Sequence, residues 1–157
     1  MPDNPMTEAG FERLRKKLEG IKADLIPELE RRLGEAREKG DLSENAEYDA
    51  ARERLWEAET QKAELEAMVL NSFPVRLPDE PSDTAGFGYV IEVRRLPNGK
   101  VERYLIVGVG EADFSNGSIS FASPFAQSFI NRTVGERVMV EVPAGKFEYE
   151  LVAVRCP

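Results

Sequence analysis

The stretch Gly40-Asp41-Leu42-Ser43-Glu44-Asn45-Ala46-Glu47-Tyr48 divides two long segments that carry the same amphipathic pattern. Upstream of it, large apolar residues fall at Phe11, Leu14, Leu18, Ile21, Leu25, Leu29 and Leu33, with charged residues between them. Gaps of three and four make that a helix seam of the coiled-coil type over residues 7–39, roughly 50 Å long at about 1.5 Å per residue. Thr7 is placed to cap its start, and Pro27 inside it should kink the helix or loosen its bonding. Gly40 is a stop signal. A second helical pattern over residues 42–70 runs through Tyr48, Ala51, Leu55, Ala58, Leu65 and Val69, with Lys62 interrupting the seam. So few residues separate the two segments that they must fold back antiparallel. The turn is then the tip of a rod, with Asp41 and Glu44 at its extremity.

Beyond this hairpin the composition changes. Residues 71–88 are rich in Pro, Gly, Asp and Ser and read as a linker with one short strand at 75–77. Segments 89–94, 101–107, 138–142 and 147–154 are rich in β-branched and aromatic residues. Pro97-Asn98-Gly99 and Pro143-Ala144-Gly145 supply hairpin turns between them. Ser123-Pro124, followed by Phe125, Ala126, Phe129 and Ile130, has Ser as N-cap and Pro at the first helical position, so a short helix is predicted there. The predicted class is α+β: a helical hairpin over residues 1–72 with its tip at 40–48, a linker over 73–88, and a compact sheet domain with one helix over 89–157.

Composition narrows the function. The 157 residues carry a formal net charge of −8, which argues against a protein that coats nucleic acid through a general positive surface. There is no histidine, and the one cysteine is Cys156. Ser-His-Asp and Cys-His nucleophilic systems, most zinc sites and any disulfide framework are thereby excluded. The sequence shows no signal peptide pattern and no apolar run long enough to span a bilayer, so a cytoplasmic protein is expected.

The tip admits two readings from spacing alone. Asp at an N-cap followed three residues later by Glu is a capping box, in which both carboxylates accept hydrogen bonds from otherwise unpaired backbone N–H groups. Alternatively, carboxylates three apart on a first helical turn point the same way and suit a hard cation such as Mg²⁺. Two carboxylates are too few for a dedicated cage, so such a pair would be half a site, completed by a partner.

The flanking sequence distinguishes them. Residues 35–53, Glu35-Ala36-Arg37-Glu38-Lys39-Gly40-Asp41-Leu42-Ser43-Glu44-Asn45-Ala46-Glu47-Tyr48-Asp49-Ala50-Ala51-Arg52-Glu53, closely resemble the tip of the bacterial Gre transcript-cleavage factors, and the GreA type in particular. The resemblance continues at Met6-Thr7, Gly10, Pro27, Ile106-Val107-Gly108, Glu111-Ala112-Asp113, Ser123-Pro124, Ala126, Val134-Gly135 and Pro143-Ala144-Gly145.

It implies a coiled-coil hairpin followed by a C-terminal domain of FKBP-like topology. That domain would dock at the rim of the RNA polymerase secondary channel while the hairpin enters it as a monomer. The factor would stimulate the polymerase's own cleavage of backtracked RNA, without being a nuclease alone. By the same resemblance, Asp41 and Glu44 match the catalytic tip acids that help hold a Mg²⁺ shared with the polymerase. Ser43, Asn45 and Tyr48 scaffold the tip, and Arg37 and Arg52 match part of a basic patch near the displaced RNA 3′ segment. Without that resemblance, Ser43 and Asn45 would bond the turn backbone, Tyr48 would open the seam, and the arginines would pair with Glu38 or Glu53. Competing functions are a channel-binding inhibitor of the same fold, which the Asp-x-x-Glu spacing argues against, a coiled-coil adaptor, and an autonomous metal hydrolase, for which a rod tip lacks a pocket.

Overall fold

The computed structural model describes residues 2–40 and 45–157. The chain divides into two compact units, one built on Phe11–Ser72 and the other on Asp3–Gly10 with Phe73–Pro157.

The first unit is the helical hairpin. Its first arm comprises α1 (Glu8–Gly20), a π-helical segment (Ile21–Leu25) and α2 (Ile26–Glu38), and its second arm is α3 (Ala46–Asn71). The buried apolar residues of the first arm are Leu14, Ile21, Leu29 and Ala36, at intervals of seven, eight and seven. The eight-residue interval contains the π segment, whose i→i+5 bonding takes up one additional residue without turning Leu29 and Ala36 off the buried face. Pro27 accounts for its position. A proline ring collides with the carbonyl four residues back, here Ala23, and widening that turn moves the carbonyl aside. The loosened bonding expected around Pro27 takes this form, with the Ile26 N–H bonding to the Ile21 carbonyl. Against this arm α3 buries Ala58 and Leu65. Lys62, at a seam position, lies near Glu66 (3.8 Å), its charge still partly exposed. α3 is assigned from Ala46, four residues later than the second pattern predicts.

The second unit is a mixed five-stranded sheet with one α-helix. Its strands are β3 (Val90–Arg95), β4 (Val101–Val107), β5 (Ser118–Ser120), β6 (Arg137–Val142) and β7 (Gly145–Arg155), in the order β5-β4-β3-β7-β6. All pairs are antiparallel except β4 with β5. Both predicted turns join neighbours in this sheet. Helix α4 (Pro124–Phe129) begins as predicted, with the Ser123 hydroxyl accepting from the Ala126 N–H at 3.1 Å. Its Phe129 is fully buried with Ile91, Val93, Ile106, Val140 and Leu151, and Phe125 packs edge-on against Tyr104, Phe129 and Tyr149. Strand β5 was not anticipated: its three residues are Ser-Ile-Ser, and only Ile119 is buried.

Residues 73–88 are tied into this unit. β2 (Ser72–Val75) pairs with β1 (Asn4–Thr7), replacing the strand expected at 75–77. Ala85 is buried, exchanging backbone bonds with Arg132 and Asn131, and the Gly88 N–H reaches the Ile106 carbonyl at 2.8 Å. β1 is pinned by Glu111. That carboxylate accepts from the Thr7 N–H (2.8 Å), the Thr7 hydroxyl (2.7 Å) and the Gly108 N–H (2.6 Å). The Thr7 hydroxyl oxygen in turn accepts from the Gly10 N–H at 3.0 Å, the cap predicted for Thr7. A Cβ on Gly108 would lie 2.1 Å from the Pro5 carbonyl, so that position requires glycine for close approach, and one on Gly10 would lie 1.8 Å from a Glu111 oxygen and would push that carboxylate aside.

Candidate functional site

The candidate site is the end of the hairpin. α2 stops at Glu38, and Gly40 takes φ of +108°, a left-handed region that glycine enters at little cost. Asp41, Ser43 and Glu44 lie outside the described residues. The description resumes at Asn45, which makes two hydrogen bonds of different kinds. Its side-chain oxygen accepts from the Tyr48 N–H at 3.1 Å, which makes it the N-cap of α3. Its side-chain amide donates to the Ala36 carbonyl at 2.5 Å, in the last turn of α2. One residue thus satisfies a backbone donor at the start of one helix and ties it to a carbonyl at the end of the other. The capping-box reading placed the N-cap of the second helix at Asp41, whereas the described helix takes its cap from Asn45.

Tyr48 lies on the first turn of α3, beside Arg37 on α2. The Arg37 guanidinium carbon is 5.8 Å from the ring centroid, and Nη2 is 3.5 Å from the phenolic oxygen, the outer limit of a hydrogen bond. This Arg37 contact and then the positive charges of Arg37 and Arg52 hold the Tyr48 phenol below its ordinary value, against an opposing effect of burial. Arg37, Tyr48 and Arg52 are therefore brought together, and the described contact of Arg37 is Tyr48 rather than Glu38.

A further link is Lys39 Nζ to Glu47 at 2.8 Å. The hydrogen bond from Lys39 to Glu47, and the Coulombic attraction with it, raise the lysine's pKa. Both groups are well exposed, so the pair orders the end of the hairpin more than it stabilises the fold. Sequence reasoning missed this pair and the second bond of Asn45. The signal for the latter was an Asn immediately before a helical pattern, with a second helix ending only a few residues earlier.

Chemically, the end of the hairpin presents two guanidiniums around a phenol, suited to an anionic oxygen, on a helix start whose cap is already supplied. Among the described residues there is no group of three or more His, Cys, Asp or Glu that could hold a metal ion. Among the same residues no helix is long and apolar enough to cross a membrane.

Comparison with known proteins extends over the whole of this architecture. The family model described as transcription elongation factor, N-terminal, matches residues 4–72, and that described as transcription elongation factor, GreA/GreB, C-term, matches residues 80–156. The transcription elongation factor GreA of Nitratidesulfovibrio vulgaris is 36% identical over 154 residues, covering 98% of this chain and 96% of that protein. GreA of Bacillus cereus is 38% identical over 151 residues, or 96% of each chain. Among solved structures, GreA factor homolog 1 of Thermus thermophilus is 27% identical, covering 96% of this chain and 97% of its own, with a TM-score of 0.43.

Proposed function

Because the chain belongs to the GreA/GreB family of transcription elongation factors, we propose that it binds RNA polymerase and stimulates the polymerase's own Mg²⁺-dependent endonucleolytic cleavage of backtracked RNA, rescuing arrested complexes. The observation that carries this reading is the coverage of both units by the family's two models, with the Asp41-x-x-Glu44 spacing falling between the helices of the hairpin. In this reading the hairpin enters the secondary channel while the sheet unit docks outside it. The acids then act at the polymerase active centre and not in a pocket of their own.

Asp41 and Glu44 are the proposed catalytic acids. The side-chain cap of α3 is supplied by Asn45, which accepts from the Tyr48 N–H. A pair of carboxylates is a hard oxygen donor set that fits Mg²⁺ but leaves most of an octahedral shell to other ligands, so the ion is shared with the polymerase and its RNA. Such an ion stabilises the charge that develops on the attacking and leaving oxygens. The carboxylates raise its local occupancy, and either can orient the attacking water or accept its proton. Ser43, Asn45 and Tyr48 scaffold the tip; the two hydrogen bonds of Asn45 tie the ends of α2 and α3 together. Arg37 and Arg52 face the phosphates of the displaced RNA 3′ segment, where planar guanidiniums suit paired phosphate oxygens.

The decisive experiment uses a stalled, backtracked elongation complex in Mg²⁺, with and without the protein. A shortened RNA with a new 3′ end is expected only when polymerase and protein are both present. Absence of shortening, with the protein bound, would overturn the reading.

A further inference from the structure

The outward face of α3 carries the chain's single tryptophan, and Trp56 is 66% exposed. Arg52, Glu53 and Glu59 lie three or four residues from Trp56 along the helix, and Asp49 seven, on the same side as Trp56. With Leu55 they line an open groove whose walls, among the described residues, all come from α3. The opposite side of the helix is used by the seam, through Ala58 and Leu65. The Trp56 ring lines the groove, and among the described residues no other element faces it.

We propose that this face docks a protein surface that offers an apolar slot for the indole, framed by Lys or Arg. Three carboxylates and one guanidinium border the ring, and that guanidinium also acts on Tyr48. Apart from Arg52, which lies toward Tyr48, the charges around the ring are negative and attract basic side chains. Tryptophan is the residue type whose burial most often dominates a protein interface, because a large rigid ring is desolvated at little cost in side-chain entropy. This inference rests on the function proposed above, and the partner is then RNA polymerase itself. Trp56 lies ten residues beyond Ala46, about 15 Å along the helix axis. It grips the flank of the rod and not the reacting end, so it governs how firmly the hairpin is held.

The test compares the full chain with Trp56→Ala, Trp56→Phe and the double variant Glu53→Lys with Glu59→Lys. The concentration of each giving half-maximal RNA cleavage is measured on the backtracked complex. Trp56→Ala should raise that concentration by about tenfold or more, the usual scale of an interface hot spot. Trp56→Phe should fall between, and the double charge reversal should also weaken binding. Wild-type activity with an unchanged half-maximal concentration for Trp56→Ala would overturn the docking proposal and leave the proposed function standing. Stronger binding of the charge-reversed protein would assign the face to nucleic acid instead, and self-association of the wild type abolished by Trp56→Ala would assign it to a second copy. Failure of the wild type to engage polymerase at all would instead sink the proposed function.

Discussion

Replacing Asn45 by Ala removes both bonds that join the helix ends. Loss of an N-cap costs about 1 kcal/mol, and loss of the amide bond to the Ala36 carbonyl costs about 1 kcal/mol more, since that group is partly buried. The hairpin should therefore lose about 2 kcal/mol, roughly a thirtyfold change in its unfolding equilibrium. Asn45→Asp separates the two contributions. It keeps the oxygen that accepts from the Tyr48 N–H but replaces the amide donor with a carboxylate beside the Ala36 carbonyl, so it should cost about half as much. Denaturant unfolding followed at 222 nm reports this directly, because α1, α2 and α3 hold nearly all the helix. The expected order of stability is Asn, Asp, Ala. An Ala variant as stable as wild type would refute the joining role, and an Asp variant as unstable as Ala would refute the capping part of it.

Asp41→Asn and Glu44→Gln should each lower stimulated cleavage by about tenfold or more, about 1.4 kcal/mol of transition-state stabilisation, with polymerase binding and helicity retained. Added Mg²⁺ should partly restore the rate, and a double variant that cleaves normally while bound would remove these acids from the mechanism. Gly10→Ala, ordinarily favourable in a helix, should destabilise the second unit by about 2 kcal/mol because its Cβ displaces the Glu111 carboxylate from Thr7. In a Glu111→Ala background the same change should cost much less; additive costs in that double-mutant cycle would disprove the clash. Burial, and then the hydrogen bond to Glu102, raise the Tyr104 phenol well above its ordinary 10.0. A folded-state pKa above the unfolded one gives stability that is complete below pH 10 and is lost as pH rises beyond it. The alkaline limb of the stability curve should accordingly flatten in Tyr104→Phe, and an unchanged limb would locate the loss elsewhere.

The hairpin and the main strands were legible because each rests on local periodicity: Leu14, Ile21 and Leu29 share one face of a helix, and Val101–Val107 is dense in strand formers. The turn and cap signals at Ser123-Pro124 and Pro97-Asn98-Gly99 were equally local. What could not be read was set by partners distant in sequence. Thr7 and Gly10 meet Glu111 across about a hundred residues, and the Pro-rich stretch after Phe73 is held by backbone bonds to Ile106, Asn131 and Arg132 that composition does not encode. At the candidate site, Tyr48 and Arg37 were separately visible, but their meeting depends on the register of two antiparallel helices. The second bond of Asn45 depends on that register too.

That register has its own safeguard. One residue added to an ordinary α-helix rotates everything beyond it by about 100°, which would swing Leu29 and Ala36 away from α3 and carry Arg37 off Tyr48. In this arm the wide turn before Pro27 acts as a vernier: the surplus residue is taken up there, and the far half keeps its azimuth. How far the rod reaches and which way its end faces are thereby separated, and deleting one residue between Ile21 and Pro27 should shorten the arm while leaving Arg37 aimed as it is now.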